Sequence, residues 1–361
     1  MQKNKMTSIR STPAIIQPAE GRRRIFIDPS YDFFGSNGLF NLNDPVLNRD
    51  DQLLPFHRMR QHMAGEGISV NTADFLFEIG DQDPRLSEYY SLGILDNYER
   101  VLSEKLAHLT AFVIMEPPVV APQLYQALPR LSEVFDRVYL HNTTGDGYSL
   151  QGVDSTKLRR LYWPIPYNHV LEPYWETGDR MKRIVVINGS HNPHGRSREQ
   201  YSLRIQAMAS LAKLGIVDLF GRGWKRWWSR SAMWLPYWRN RRVLMSIYKG
   251  PCASKFEVLA RYQFCLCFEN MSMEGYITEK IFDCFYAGVI PLYRGAPDIT
   301  KYVPAGAFVD CRKYPTWESM WEEITAIPPA AMEAMRFAGR QFLQSDSANL
   351  FYDSMQNLCT G

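Results

Sequence analysis

Two periods of apolar residues share the chain. Short apolar runs that end in polar or turn-forming residues recur at 24–28, 68–70, 74–79, 111–115, 134–140, 183–188, 217–221, 262–268, 289–293 and 307–309. Such runs read as strands buried on both faces of a parallel sheet. Between them, apolar residues three and four apart at 54–67, 97–106, 199–214, 278–288, 316–324 and 330–342 predict helices. Strand, loop, helix and strand in repeated order make βαβ units, and so an α/β fold with parallel sheets.

The stretch 262–310 carries the most chemistry per residue. Its first strand passes directly into Glu269 and Asn270; Thr278 is then placed to cap a helix bearing Glu279 and Lys280, and Gly288 to end it. In open α/β sheets, ligands lie beyond the carboxyl ends of the strands, beside helix N-termini. The pattern therefore puts Glu269, Asn270, Tyr276, Glu279 and Lys280 on a binding rim. A lysine in the first turn of a helix opposes the dipole unless an anion sits there. A diphosphate is such an anion, and Glu279 can accept hydrogen bonds from ribose or sugar hydroxyls. The plain alternative is a solvated Glu–Lys pair at a helix start.

The first half of the chain has a counterpart. The run 111–115 delivers Glu116 to a strand end, where Pro117 and Pro118 stop the strand and fix the turn. Glu116 reads either as a positioned carboxylate or as a surface residue at a turn, with Glu78 and Asp81 as the fallback carboxylates. His141 opens a polar loop and reads as a structural histidine or an acceptor contact. His191 and His194 stand three apart with no third ligand near them in sequence, so they do not make a metal site.

Length allows two domains, each with its own core. A net charge of +3, from 41 cations and 38 carboxylates, argues against general nucleic-acid binding. The N-terminal residues MQKNKMTSIRSTPAII lack an apolar core and cleavage site, and no apolar run is long enough to span a membrane, which predicts a cytoplasmic protein. Six cysteines, none in a Cys-x-x-Cys pair, read as free thiols. The segment 224–242 holds five of the nine tryptophans and six basic residues but no acid. It reads as a stretch resting at a membrane interface near anionic lipid, or as an insertion that packs its tryptophans on the protein and turns its cations to phosphates.

Phe268-Glu269-Asn270, a spacer, Tyr276-Ile277-Thr278-Glu279-Lys280-Ile281, then Ala287-Gly288-Val289-Ile290-Pro291-Leu292 and Gly295-Ala296-Pro297 closely resemble the donor-binding signature of the α1,3/4-fucosyltransferase family. That resemblance implies a GT-B enzyme with two Rossmann-like domains facing each other across a cleft, inverting transfer from GDP-fucose, and a bacterial type of member. It divides the chain into a disordered tail (1–24), an acceptor-binding domain (25–178), a donor-binding domain (179–328) and a C-terminal helix (329–361). It sets Lys280 and Arg204 on the diphosphate, Glu279 and Asn270 on ribose or sugar hydroxyls, and Tyr276 and Glu269 along the pocket. Arg204 precedes Gly221 by seventeen residues, about where the family's phosphate-binding arginine precedes its Val-Asp-x-x-Gly strand; Arg198 is the alternative. Glu116 takes the place of the family's base, in Glu116-Pro117-Pro118 where members carry Glu-Ser-Pro or Gly-Glu-Asn. Met271 departs from the serine that many members have. The implied acceptor is an oligosaccharide or a lipid-linked glycan, at the inner face of a membrane if the segment 224–242 touches lipid, with no obligatory metal or further cofactor. Rival readings are a transferase for another GDP-sugar and a binding protein without catalysis.

Overall fold

The computed structural model describes residues 22–79, 83–176, 178–226, 228 and 234–360. Its strands form two six-stranded sheets, and by compactness the chain divides into two units. The first comprises the described residues to Val113, Val134–Arg137 and the chain's end from Met355. The second comprises Ile114–Glu133 and Val138–Ser354.

The first unit contains β1 (Arg24–Asp28), α1 (Leu54–Gly65), β2 (Ser69–Thr72), α2 (Asp74–Ile79), β3 (Ser87–Ser91), α3 (Tyr98–Glu104) and β4 (His108–Val113). β1 lies between β2 and β3, and β3 pairs onward with β4, all parallel. Ile25, Val70, Tyr89, Val101 and Phe112 are fully buried around these strands. Arg23 belongs to this ordered part, since its guanidinium grips Glu88 at 2.6 and 2.8 Å.

Onward run α4 (Pro122–Gln126), α5 (Leu128–Val134), β5 (Arg137–Leu140), β6 (Leu158–Arg160), α6 (Glu172–Trp175), β7 (Met181–Ile187), α7 (Tyr201–Lys213), β8 (Val217–Phe220), α8 (Leu235–Ile247), β9 (Tyr248–Gly250) and α9 (Lys255–Leu259). Then come β10 (Tyr262–Phe268), α10 (Glu279–Ala287), β11 (Ile290–Arg294), β12 (Val309–Asp310), α11 (Trp317–Thr325), α12 (Pro329–Leu343), α13 (Asp346–Tyr352) and α14 (Ser354–Thr360). β5 pairs with β6, and the second sheet runs β12-β11-β10-β7-β8-β9, again parallel.

The period of two sorts the second sheet's side chains onto two faces, both covered. Val185, Cys265 and Cys267 join Phe282 and Phe285 of α10, Phe342 of α12 and Phe351 of α13 in one core. Ile184, Val186, Phe264 and Leu266 join Met208 of α7, Leu244 of α8 and Met320 of α11 in the other. The six cysteines are free thiols; four are buried in these layers and a fifth, Cys359, is buried on α14.

Most of the expected elements form where the periodicity places them, with instructive exceptions. Residues 74–79 are helix α2 and not a strand: a six-residue apolar run does not distinguish the two, and here the Leu76 and Phe77 amides bond back to Ala73. The third strand, on the other side of β1 from β2, is β3, whose sequence Ser-Glu-Tyr-Tyr-Ser gave no apolar run. Only the second half of 134–140 is a strand, because α5 reaches Val134. The last short strand is Val309–Asp310, and Ala305–Ala307 is a 3-10 turn. The chain ends in three helices, α12 to α14, and not one. Of the expected tail, residues 1–21 lie outside the described residues.

A candidate donor site at the strand ends

β10 delivers Glu269 to the carboxyl end of the second sheet, where its side chain is completely buried. Burying a carboxylate is costly unless it is paired and hydrogen-bonded, and Glu269 has three partners. The Thr278 amide donates to Oε1 at 2.8 Å, the Thr278 hydroxyl to Oε2 at 2.8 Å, and the Lys280 ammonium to Oε2 at 3.1 Å. Thr278 stands at the N-cap position as its sequence suggests, yet its hydroxyl serves Glu269 and makes no cap bond to its own helix. Gly295 makes room for this arrangement, since a Cβ there would lie 2.4 Å from Glu269 Cγ. At the other end of α10, Gly288 takes the left-handed conformation that stops the helix (φ 68°).

The solvated Glu–Lys pair is therefore excluded. Lys280 is mostly enclosed, with Glu269 on one side and Glu279 Oε1 at 3.6 Å on the other. Burial pushes its pKa down, but the two carboxylates overcome that and hold it above the usual lysine range. Burial likewise pushes Glu279 upward, while Lys280 and Lys255 outweigh it and keep the carboxylate below its ordinary value.

Arg204 reaches the same place from α7. Its guanidinium is 3% exposed and donates to the carbonyls of Phe268 at 2.7 Å and Glu269 at 3.0 Å. Arg198, the alternative by spacing, instead lies exposed on the preceding loop, ion-paired with Asp146. The Asn270 carbonyl accepts from the Gln200 amide at 3.0 Å, which fixes the start of α7 against the end of β10.

Glu116 completes the group within the same unit. The two prolines do turn the chain: the amides of Val120 and Ala121 bond back to the Pro117 carbonyl at 2.9 and 3.0 Å. Burial raises the Glu116 pKa, the field of Lys280 lowers it, and Glu279 and Glu269 raise it again. The net shift is upward, as suits a proton acceptor working near neutrality. Val119 from the same turn packs with Tyr201, Met271, Met273 and Tyr276 in a small buried cluster that excludes water beside these charges. Met271, the departure from the family's serine, is thus a wall residue and 1% exposed.

One feature of this cluster is unusual for an interior, where nearly all buried polar atoms find partners. Glu116 Oε2, Glu279 Oε2, Tyr276 Oη and Arg204 Nε are all buried without a hydrogen-bond partner. Two acceptors, a donor and a hydroxyl are left for something that is not protein.

Other readings fare differently. Glu78 lies exposed on α2, and Asp81 is outside the described residues. Asp83, in the chain's one Asp-x-Asp spacing at 81–83, caps the turn Pro84–Leu86 and pairs with Arg85 at 2.9 and 3.0 Å. His194 is a clasp, its amide bonded to Val119 O at 2.7 Å and its ring to Val120 O at 2.8 Å. Among the described residues, no three His, Cys, Asp or Glu side chains gather as for a metal ion. His141 is fully buried and bonds Met115 O at 2.8 Å; burial lowers its pKa to about 4, so it is neutral at pH 7.

Sequence reading missed two neighbours. Tyr201 lies against Arg204, its ring centroid 5.4 Å from the guanidinium. Arg160, at the end of β6, lies over the rings of Tyr162 and Tyr302, and its Nε and one terminal nitrogen are buried without partners. Gly275 leaves the space for it, since a Cβ there would lie 1.7 Å from that guanidinium. Arg160 follows Arg159 in the short strand Leu158–Arg160, and nothing in that local pattern singles it out.

The fold is the α/β GT-B architecture of glycosyltransferases. A solved glycosyltransferase from Rickettsia africae superposes with a TM-score of 0.54 at 9% identity, over 94% of this chain and 97% of that one. Residues 182–339, just under half of the chain, match the family model described as glycosyltransferase family 10 (fucosyltransferase), C-terminal. The alpha-(1,3)-fucosyltransferase of Helicobacter pylori is 38% identical over 65 residues, 18% of this chain and 14% of the relative. The alpha-(1,4)-fucosyltransferase of Arabidopsis thaliana is 32% identical over 62 residues, 17% of this chain and 16% of the relative. These matches thus span about one-sixth or less of the relatives' own length.

Proposed function

We propose that the protein transfers L-fucose from GDP-fucose to a glycan hydroxyl with inversion at the anomeric carbon. The observation that carries this reading is the set of unpartnered buried atoms on Glu116, Tyr276, Glu279 and Arg204 around the Lys280–Glu269 pair. Arg204 and Lys280 hold the diphosphate, Glu279 and Asn270 take ribose or sugar hydroxyls, and Tyr276 lines the pocket. Glu269 carries no ligand in this scheme; it fixes Lys280. Glu116 accepts the proton of the acceptor hydroxyl as that oxygen attacks the anomeric carbon and the bond to the diphosphate breaks. The fixed cations stabilise the charge that develops on the departing GDP, which is where preorganised electrostatics contributes most. No divalent ion is needed in this scheme, because Lys280 and Arg204 supply the positive charge. The family match over 182–339 and the fucosyltransferase relatives support fucose as the sugar. The acceptor is an oligosaccharide or a lipid-linked glycan, the latter fitting the basic, tryptophan-rich segment 224–242.

The test is GDP release from GDP-fucose, with GDP-mannose beside it and EDTA present, with and without a mixed glycan acceptor pool. Turnover of GDP-fucose alone, lost in Lys280→Ala, is the expected result. Preference for another GDP-sugar would move the donor assignment. Tight GDP binding with no turnover of any donor in the presence of acceptors would identify a binding protein instead.

A further inference from the structure

The described residues of the segment 224–242 fall on two sides, one packed inward and one exposed. Trp224 and Trp234 are 3% and 5% exposed and sandwich Tyr237, with ring centroids 5.7 and 4.2 Å away. The Tyr237 hydroxyl donates to the Trp224 carbonyl, and Trp224 Nε1 donates to Asn188 O at 2.7 Å. With Leu244 and Ile247 these residues make the inward face of α8.

The opposite face is a different surface. Its exposed positions, Leu235, Trp238, Arg239, Arg242 and Ser246, follow helical spacing and form one stripe. Leu235 is 46% and Trp238 61% exposed, and Trp228 just before the helix is 56% exposed. Among the described residues, no carboxylate lies within ion-pair distance of Arg239 or Arg242. The wider stretch 219–256 has no acidic residue and nine cations. That leaves 32 of the chain's 41 cations against all 38 of its carboxylates, so positive charge is concentrated on this one part.

We propose that this face of α8 docks on an anionic lipid bilayer, with Trp238 and Leu235 entering the headgroup boundary and Arg239 and Arg242 against lipid phosphates. Large apolar side chains one turn apart among unpaired arginines match the layering of such an interface, apolar beneath anionic. A nucleic acid would satisfy the cations but give Leu235 no role, and a second copy would bring the same cations against themselves. Docking here would keep the enzyme beside a lipid-linked acceptor; that consequence rests on the proposed transferase reading, whereas the docking itself does not.

The experiment is co-sedimentation of the full chain with vesicles of phosphatidylcholine alone and of phosphatidylcholine mixed with phosphatidylglycerol. Binding to the anionic vesicles only, weakened by salt, is expected. Arg239→Ala with Arg242→Ala should weaken it about 30-fold, from about fivefold per basic residue. Leu235→Ser with Trp238→Ser should abolish the blue shift of tryptophan emission on adding vesicles. GDP-fucose turnover without vesicles should be unchanged in both variants, which separates this inference from the function proposed above. Equal binding to both vesicle types, no binding by protein of intact fold, or unaltered binding by the arginine variant would each overturn it. So would a dimer in solution that Trp238→Ser dissociates, or binding to heparin with none to vesicles.

Discussion

Helices α10 and α8 both carry cations, and they use them in opposite ways. The lysine of α10 is mostly enclosed, shared between Glu269 at 3.1 Å and Glu279 at 3.6 Å, and bonded to the Thr278 hydroxyl at 2.8 Å. Arg239 and Arg242 of α8 are exposed, with no carboxylate partner among the described residues. A buried cation must be held by fixed partners or lose its charge, so it becomes a precise element of a site. An exposed one costs nothing to leave unpaired and acts through its field, over about a Debye length. Residue type is the same in kind; enclosure decides whether it positions or attracts.

Removing Glu116, the proposed proton acceptor, should have the largest effect at the α10 site. Glu116→Ala is expected to lower transfer by about 10²- to 10⁴-fold while GDP affinity, measured by calorimetry, stays within a few-fold. Transfer at the wild-type rate would show that another group accepts the proton.

Next comes the lysine itself. Lys280→Ala strands Glu269, which is completely buried, and should cost about 3–5 kcal/mol in urea unfolding as well as turnover. Adding Glu269→Gln should recover much of the stability but none of the activity. If the double variant regains turnover, Lys280 has only a structural role.

The pH profile sharpens the same point. Burial raises the Glu116 pKa above the ordinary carboxylate value, and its proposed role as proton acceptor needs the deprotonated form. Transfer should therefore fall as pH drops through that raised pKa, at higher pH than an exposed glutamate would give, and Glu116→Gln should remove this limb. The sign for stability is opposite: the folded state holds the proton more tightly, so this group favours folding more at low pH and that contribution is lost as pH rises through the folded pKa.

The smallest effects belong to α8. Replacing Arg239 and Arg242 by Ala should shift unfolding by no more than about 0.5 kcal/mol. Tyr237→Ala, one turn away but buried between two tryptophans, should cost about 3–5 kcal/mol. Similar losses for the two changes would mean the arginines have structural partners and the contrast with α10 is false.

Much of this was legible in the chain itself. The strand 262–268 and the helix starting after Thr278 form at the places the apolar pattern sets, and Glu269, Glu279, Lys280, Arg204 and Glu116 do come together. What was not legible depended on partners far along the chain. The run 74–79 satisfies strand and helix patterns equally, and the neighbouring backbone resolved it. Arg160 gave no motif, because its place is defined by Gly275 and Tyr302, both more than a hundred residues away.

The sequence by itself determined where βαβ units fall and which polar side chains reach strand ends, since both follow from local periodicity and the geometry of parallel sheets. Only the tertiary structure decided which charges are buried, which are paired and which face outward. Arg204 against carbonyls 64 and 65 residues distant, the burial of Glu269 against Lys280, and the turning of Trp238 out while Tyr237 turns in are all such decisions. Each depends on enclosure by other segments, and desolvation is a property of the packed chain that no local pattern carries.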